Sequence, residues 1–553
     1  MGVTHGMPDH LPAGTTWTRS GTGRRSRIKG ALALERGSMD QWSPASAPLA
    51  DAILRAGSRE RIAFHMPGHA SGRGLPHELA ARFGQLDTTE LPDTDDLAHP
   101  GHMLLDAQVR TAEAFGSARS HLLVNGSTVG ILAMVHCVVG PGDVLLVGRD
   151  CHRSVLNAIR LAGAEPVFVA TPAVSDGGLP RGPSSEDFLE VAARHPQARA
   201  VLLTRPNYYG VAVDLDGLSQ ALHRNGMHLL VDEAHGAHFS ADPRFPATAL
   251  ASGADLVVQS LHKTLPSPSQ TAVLHEGHAW TGVRAGLPVS SVAEAIALFQ
   301  TSSPSWPLLA FADAAVSWYA AHGAAAYAAL LDRIAAFSDR LHAGKEGRRN
   351  RFHLVGPEAL PAVCGKDPTR LVLSAPGCGV ALERFLRTTA GIVVEMADLD
   401  HVVLITTPFH DMADFDALAD ALDAAGEVMA PEGETVPCRG AGAAADSDAF
   451  PDALPDALSD AFPGSKPDAL PQSVLPMDVA ACRAREPVPL PEAAGRIAAV
   501  AVVPYPPGVA AIVAGERYDG ALVTRLCRMA EAGVTLNGLV DGKCLCVRET
   551  VEA

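Results

Sequence analysis

Aromatic residues make up only 5% of this 553-residue chain, and charged residues 19%. The basic side is the weaker one: 44 Lys and Arg stand against 61 Asp and Glu, a formal net charge of −17. That balance argues against nucleic acid or an anionic membrane as a partner, because both select basic surfaces. An acidic surface mildly favours cationic substrates, and otherwise keeps the chain in solution. No apolar run approaches the roughly 20 residues a membrane-spanning helix needs. The nine cysteines are odd in number and scattered, with only Cys544 and Cys546 close together. No pair of CxxC motifs offers a zinc site, so reduced thiols in a cytoplasm are expected. Near the N-terminus, "RRSRIKGALALERG" has an arginine pair, but "ALAL" is far too short for a signal peptide's apolar segment. No targeting signal is read there.

What the sequence does contain is an alternation of short apolar strands and helical stretches from about Ala50 to Gly286. "DVLLV", "EPVFVA", "AVLLTRP", "HLLVDEAHG", "DLVVQSLHK" and "TAVLH" read as strands. Continuous β-branched runs predict strands buried on both faces, hence a mainly parallel sheet covered by helices. A long alanine-rich helix is expected over 310–345, then a smaller α+β domain around "RLVLSA", "VALERFLRTT" and "HVVLITTP". The expected organisation is a disordered leader over 1–46 (with Met39 a possible true start) and a cofactor-binding large domain with its N-terminal segment over 47–310. A small domain over 311–429, a linker over 430–472 and a C-terminal domain over 473–553 complete it. The linker contains "DAFPDALPDALSDAFPGSKPDALPQ", an imperfect repeat whose prolines would interrupt any continuous helix.

Five features fall at the ends of strands in the first α/β domain, where open sheets place their ligand sites. In "NGSTVG", Gly126 allows close backbone approach while Ser127 and Thr128 open a helix, which together make an anion cup. An ordinary N-cap reads the same way. The lysine of a nucleotide P-loop is missing, so a small phosphate fits better than a triphosphate. "DCHRS" places His152 just past a strand. "VDEAHGAHF" puts Asp232 at a buried strand end and His235 one turn later. A buried aspartate is costly unless it meets a cation or donors, and a pyridinium nitrogen is such a partner. "TRPNYYG" brings Thr204, Asn207 and Tyr208 to another strand end. The fifth feature, "VVQSLHKTLPSPSQTAVLH", sets Lys263 at the end of a buried strand, beside Ser260 and His262 as further phosphate donors. A buried lysine has a lowered pKa and can form an imine with an aldehyde cofactor. Singly each feature is weak; together they are the equipment of pyridoxal phosphate chemistry.

With those residues in place, the sequence resembles the Orn/Lys/Arg decarboxylase family of fold-type I pyridoxal-phosphate enzymes. "FHMPGH" at 64–69, "DTTELPDTDDLAHPGH" at 87–102, "LLVNGSTVGI", "DCHRSV", "VDEAHGAHF" and "SLHKTLPSPSQTAVLH" follow in the family's order. "TSSPSW" at 301–306 and "PYPPG" at 504–508 belong to the pattern too. The likeness spans nearly all of residues 47–550 and is to the short form, without an N-terminal wing domain. It implies an aspartate aminotransferase-like large domain with a mainly parallel sheet, a small α+β domain and a C-terminal α+β domain. It also implies at least a homodimer and the cofactor pyridoxal 5′-phosphate. By resemblance, Lys263 would bond the cofactor, Asp232 would pair with its ring nitrogen, His152 would stack on the ring, and His235 would lie close to it. Gly126, Ser127, Thr128, Ser260 and His262 would hold the phosphate. Ser302 and Ser303 would reach the neighbouring subunit's site.

The implied reaction is decarboxylation of arginine, lysine or ornithine to the amine, in polyamine or diamine metabolism, with His262 or Lys263 returning a proton. Glu516 and the acidic run Asp93, Asp95 and Asp96 are candidates to meet the substrate's far cation, although a solvated acidic loop reads equally well. Ala70, Arg153 and Ala514 depart from the family's usual residues, which bears on the site entrance and substrate preference. An aminotransferase on the same fold, or a non-catalytic cofactor-binding homologue, are the alternative readings.

Overall fold

Strands that must be buried on both faces need apolar residues at consecutive positions, and seven such segments pair into one sheet in the computed structural model of this chain. It describes residues 47–57, 61–91, 93–171, 179–343, 351–362, 364–398, 400–429, 470–505, 508–531 and 533–548. The leader through residue 46 and the repeat from 430 to 469 lie outside the described residues. Contacts divide the chain into residues 1–60 and 61–553. In the first unit, Pro48–Gly57 is an amphipathic helix with Leu49, Ile53 and Leu54 exposed.

In the second unit the main sheet comprises β1 (Arg119–Leu123), β2 (Val144–Gly148), β3 (Glu165–Val169), β4 (Ala200–Thr204), β5 (His228–Asp232), β6 (Leu256–Ser260) and β7 (Ala272–Glu276). Their order is β1-β7-β6-β5-β4-β2-β3. The run from β3 to β6 is parallel, whereas β7 is antiparallel to both β6 and β1. Every residue of β2 and β6 is buried, which accounts for the consecutive Val and Leu that open each of them. One face packs α1 (Gly126–His136) and α2 (Arg153–Ala162) against the sheet in a single apolar cluster.

Beyond the sheet runs α3 (Trp306–Ala343), 38 residues of which half are alanine or leucine. It begins four residues before the expected helix start, so a domain boundary at 310 falls inside its first turns. Its buried stripe, including Leu309, Tyr327, Leu330 and Phe337, joins the core of a second sheet. That sheet contains β8 (His353–Leu354), β9 (Arg370–Ser374), β10 (Met396–Ala397) and β11 (His401–Ile405), in the order β8-β9-β11-β10. Residues 470–548 build a five-stranded sheet with a cluster of its own around Val502, Ile512 and Leu526. Met477, Ala480, Val503 and Val513 of this region instead join the cluster on the main sheet's helical face. The C-terminal region is thereby pinned to the main sheet. No helix among the described residues is long and apolar enough to cross a membrane.

Candidate active site

Parallel strands deliver their carboxyl ends to one edge, and here β4, β5 and β6 deliver Thr204, Asp232 and Ser260. Thr204 and Asp232 are register partners on adjacent strands. The next residue on β5's side, Glu233, faces away and is satisfied by Arg205 at 3.1 Å, Gln259 Nε2 at 2.7 Å and the Ala249 N–H at 2.9 Å. Asp232 is buried, and its carboxylate accepts a bond from the Ala234 N–H at 3.2 Å. Burial raises its pKa, against the pull of Lys263 and of that amide. The hydroxyls of Thr204 and Ser260 are buried with no hydrogen-bond partner among the described residues. Leaving such donors unsatisfied is costly, so a strand edge carrying two of them beside a buried carboxylate is built to receive a polar ligand.

The N-terminus of α1 makes a second polar wall. Gly126 adopts φ +74°, which lets the chain turn into the helix, and its N–H is taken by the Gln270 carbonyl at 2.7 Å. Asn125, the residue that could cap the helix, provides no side-chain cap. Its carboxamide oxygen accepts instead from the Thr301 N–H at 2.9 Å. First-turn N–H groups beside Ser127 and Thr128 are thus left for an anion. Ser302 and Ser303, which follow Thr301, are exposed on the same side chain segment.

Lys263 lies in a four-residue helix directly after β6. Burial lowers its pKa to about 8, with Asp232 and Glu395 pulling it up and Arg370 pushing it down. Lys263 Nζ is 3.0 Å from His235 Nε2, and His235 Nδ1 is 2.8 Å from Arg370 Nη2. The Tyr208 ring meets His235 edge-on at 5.2 Å, and the Tyr208 hydroxyl donates to the Glu395 carboxylate. The other oxygen of Glu395 accepts from the Met66 N–H at 2.9 Å. His262 donates from Nδ1 to the Thr271 carbonyl at 2.8 Å, which leaves Nε2 as an acceptor. Its pKa is drawn down to about 4, chiefly by burial. His152 caps α2: its Nδ1 accepts from the Ser154 N–H at 3.3 Å, so its hydrogen sits on Nε2. Desolvation, then Lys263 and Arg153, bring its pKa to about 4.

The "HMPGH" segment closes another wall. The Gly68 N–H donates to the His262 carbonyl at 2.7 Å. A Cβ on Gly68 would lie 2.8 Å from both the Leu265 carbonyl oxygen and the Thr264 carbonyl carbon. Only glycine permits this approach to the turn that carries Lys263.

The structure therefore brings Lys263, Asp232, His235, Ser260 and His262 to one edge, with His152 near enough for Lys263 to influence it. Two expected substrate contacts are corrected. Glu516 is buried, and its Oε2 accepts from Arg149 Nη2 at 3.0 Å and the Val513 N–H at 2.8 Å, so its charge is already paired with Arg149 rather than offered to a substrate cation. Asp95 is buried and accepts from the N–H groups of Asp96, Gly101, His102 and Leu104 at 2.9–3.1 Å. Burial raises its pKa, but those four donors outweigh it and hold it at about 2. Asn207 is likewise committed locally, bracing its own turn through the Tyr209 and Val211 N–H groups at 3.0 Å. Arg370 and Glu395 were not expected from the sequence.

A lysine at the end of a sheet strand, an aspartate at the end of its parallel neighbour and an uncapped helix N-terminus define a fold-type I pyridoxal-phosphate enzyme. The Francisella novicida lysine decarboxylase LdcF has the same fold, with a TM-score of 0.69 at 18% identity over 90% of this chain and 80% of that one. Residues 47–414 match the family described as Orn/Lys/Arg decarboxylase, major domain, and residues 466–538 match its C-terminal domain. This chain belongs to the Orn/Lys/Arg decarboxylase family. It is 33% identical to the uncharacterized protein YaaO of Bacillus subtilis over 89% of this chain and 96% of that one. It is 30% identical to an arginine decarboxylase of the same organism, again over 89% and 96%.

Proposed function

We propose that this protein removes the α-carboxylate of a basic amino acid as CO2 and releases the corresponding amine, using pyridoxal 5′-phosphate. The observation that carries the reading is the pairing of a lysine with a pKa near 8 and a buried strand-end aspartate, at an edge holding unsatisfied hydroxyls. The residues present fit the cofactor. Ser127, Thr128 and the first-turn N–H groups of α1, with Ser260, would hold its phosphate, whereas neutral His262, expected there too, has only an accepting Nε2 to offer; Asp232 would accept from the ring nitrogen. When bound, the group supplies a reactive carbonyl and a sink for the electron pair left as CO2 departs.

Each side chain then has a task of its own. Lys263, with a pKa of about 8, is partly neutral at physiological pH and so can act as a nucleophile. Asp232, anionic opposite such a cation, would keep that ring nitrogen protonated. His152 would stack on the cofactor's ring. The proton that replaces the carboxylate on Cα would come from Lys263 Nζ, since neutral His262 offers only an accepting Nε2. Glu395 offers the negative group for the substrate's far cation: among the described residues no Lys, Arg or His pairs with it, and it lies close enough to Lys263 to raise that amine's pKa. Exposed Ser302 and Ser303 would meet a second copy of the chain, and the amine product would enter polyamine or diamine metabolism.

The test is direct. Purified protein with pyridoxal phosphate is incubated separately with arginine, lysine and ornithine, and the products are identified by mass spectrometry. One of the three yields CO2 and its amine, arginine being the first to try given the 30% identical relative. An oxo acid without CO2 would replace the reading with amino transfer, and silence with all three substrates would overturn it. Borohydride treatment should fix the cofactor to the peptide containing "SLHK"; an adduct on another lysine removes Lys263 from its role.

A further inference from the structure

Lys263, His235 and Arg370 stand in a row, and the chemistry of one end dictates the protonation of the rest. A guanidinium only donates hydrogen bonds and keeps its charge in proteins. His235 Nδ1, 2.8 Å from Arg370 Nη2, must therefore be the acceptor. An imidazole that accepts at Nδ1 carries its hydrogen on Nε2. That hydrogen faces Lys263 Nζ at 3.0 Å, and an ammonium group has no lone pair to receive it. We propose that Arg370 is a positioning residue which, through His235, fixes the imidazole as the Nε2–H tautomer and so favours the neutral, accepting form of the Lys263 amine over its ammonium form.

The surroundings enforce this arrangement. Arg370 is the first residue of β9 and is 1% exposed. Its side chain passes Gly210, where φ is +80° and a Cβ would come within 2.6 Å of Arg370 Cβ. Any side chain at 210 would push the guanidinium off its line. His235 is packed edge-on against Tyr208, so its ring cannot swing to offer the other nitrogen without displacing the tyrosine. Charges facing the two groups agree. Around His235 are Lys263, Arg370, His262 and His152, and its pKa lies well below the ordinary value, first through burial and then through these neighbours. Lys263 is faced by Asp232 from β5, by Glu395 beside β10 and by Arg370 from β9. Two carboxylates favour its charged form; burial and the arginine oppose them.

The meaning of the relay rests on Lys263 being the cofactor's attachment point, but its test needs no cofactor. Full-length, cofactor-free protein is labelled with trace acetic anhydride from pH 6 to 10, and acetylated peptides are quantified against exposed Lys543. In the unaltered protein, Lys263 should titrate near 8. Arg370→Ala should lower its labelling at pH 7 about tenfold, since His235 becomes free to accept from a protonated lysine. Loss of the arginine's charge alone would act in the same direction, so the comparison is repeated with His235→Phe. There the Arg370→Ala effect should shrink to less than about threefold. A full tenfold effect without His235, or no effect with it, overturns the proposal.

Should Arg370→Ala fail to fold, 15N spectra of histidine-labelled, otherwise unaltered protein decide the matter. His235, assigned from its absence in His235→Phe, should show a protonated Nε2 and a bare Nδ1 at pH 7. The opposite tautomer, or an imidazolium, overturns the proposal. If borohydride finds the cofactor elsewhere while the labelling results hold, the relay stands and the attachment site falls; the converse results separate them the other way.

Discussion

Arg149 Nη2 sits 3.0 Å from Glu516 Oε2, with the two side chains only 7% and 4% exposed. Arg149 also donates to the Ala510 carbonyl at 2.9 Å and lies over the Phe168 ring at 5.1 Å. The pair joins the C-terminal region to the loop after β2 that ends in His152, where His152 and Val509 form a β-bridge. Glu516→Ala strands a buried guanidinium, which should cost about 3–5 kcal/mol of stability. Replacing both partners with Met and Leu should cost clearly less. Urea unfolding of the single and double variants checks this; equal losses would show that the pair is not a unit.

Asp95 gives a stability effect with a definite sign. Its folded pKa of about 2 lies below the ordinary 3.8, so its stabilisation is present above 3.8 and is lost as the pH falls toward 2. Asp95→Asn should flatten the decline in stability across that window, and cost about 1–3 kcal/mol at neutral pH because an amide oxygen serves the four N–H groups poorly. Acid titration followed by circular dichroism reads both effects. Parallel curves for the two proteins would remove Asp95 from this role.

Asp232→Asn should keep the cofactor, since the phosphate contacts are untouched, yet lose turnover by roughly 10²–10⁴-fold, the scale of a misplaced proton. An amide does not hold a ring nitrogen protonated. Cofactor absorbance and amine release are measured on the same sample. Normal turnover would take Asp232 out of the mechanism.

Glu395→Gln should raise KM for the basic amino acid about 10–100-fold while changing kcat far less, as loss of a charged hydrogen bond to substrate would. Tyr208→Phe leaves the carboxylate in place and should have the smaller effect on KM. An unchanged KM in Glu395→Gln would move the cation's receptor elsewhere.

The parallel sheet was legible because strands covered on both faces need runs such as "DLVVQS" and "HLLVD", and few other structures use them. The positions of Asp232, Lys263 and the α1 entrance were legible for a related reason: each follows or ends such a run at its carboxyl end. Arg370 and Glu395 were not, because each sits in an ordinary-looking stretch and gains its meaning from a crossing between two sheets. Asp95 and Glu516 were misread, since composition counts a carboxylate without saying which way it points. For Asp95 a local signal existed in "DDLAHPGH", a loop whose returning N–H groups need an acceptor before the helix that starts at Met103.

The hydrogen bond from the Met66 N–H to Glu395 spans 329 positions of the chain. On a ribosome the order of arrival therefore matters. β4 to β6 can pair and bury their apolar runs while Arg370 and Glu395 are still unmade. During that interval Lys263 lacks both the guanidinium and the carboxylate that later surround it. The corner becomes competent only when residues beyond 395 have emerged and β9 to β11 have docked. Long-range closure of this kind is slow relative to local pairing, so the newborn chain passes through a stage with a finished sheet and an unfinished active site.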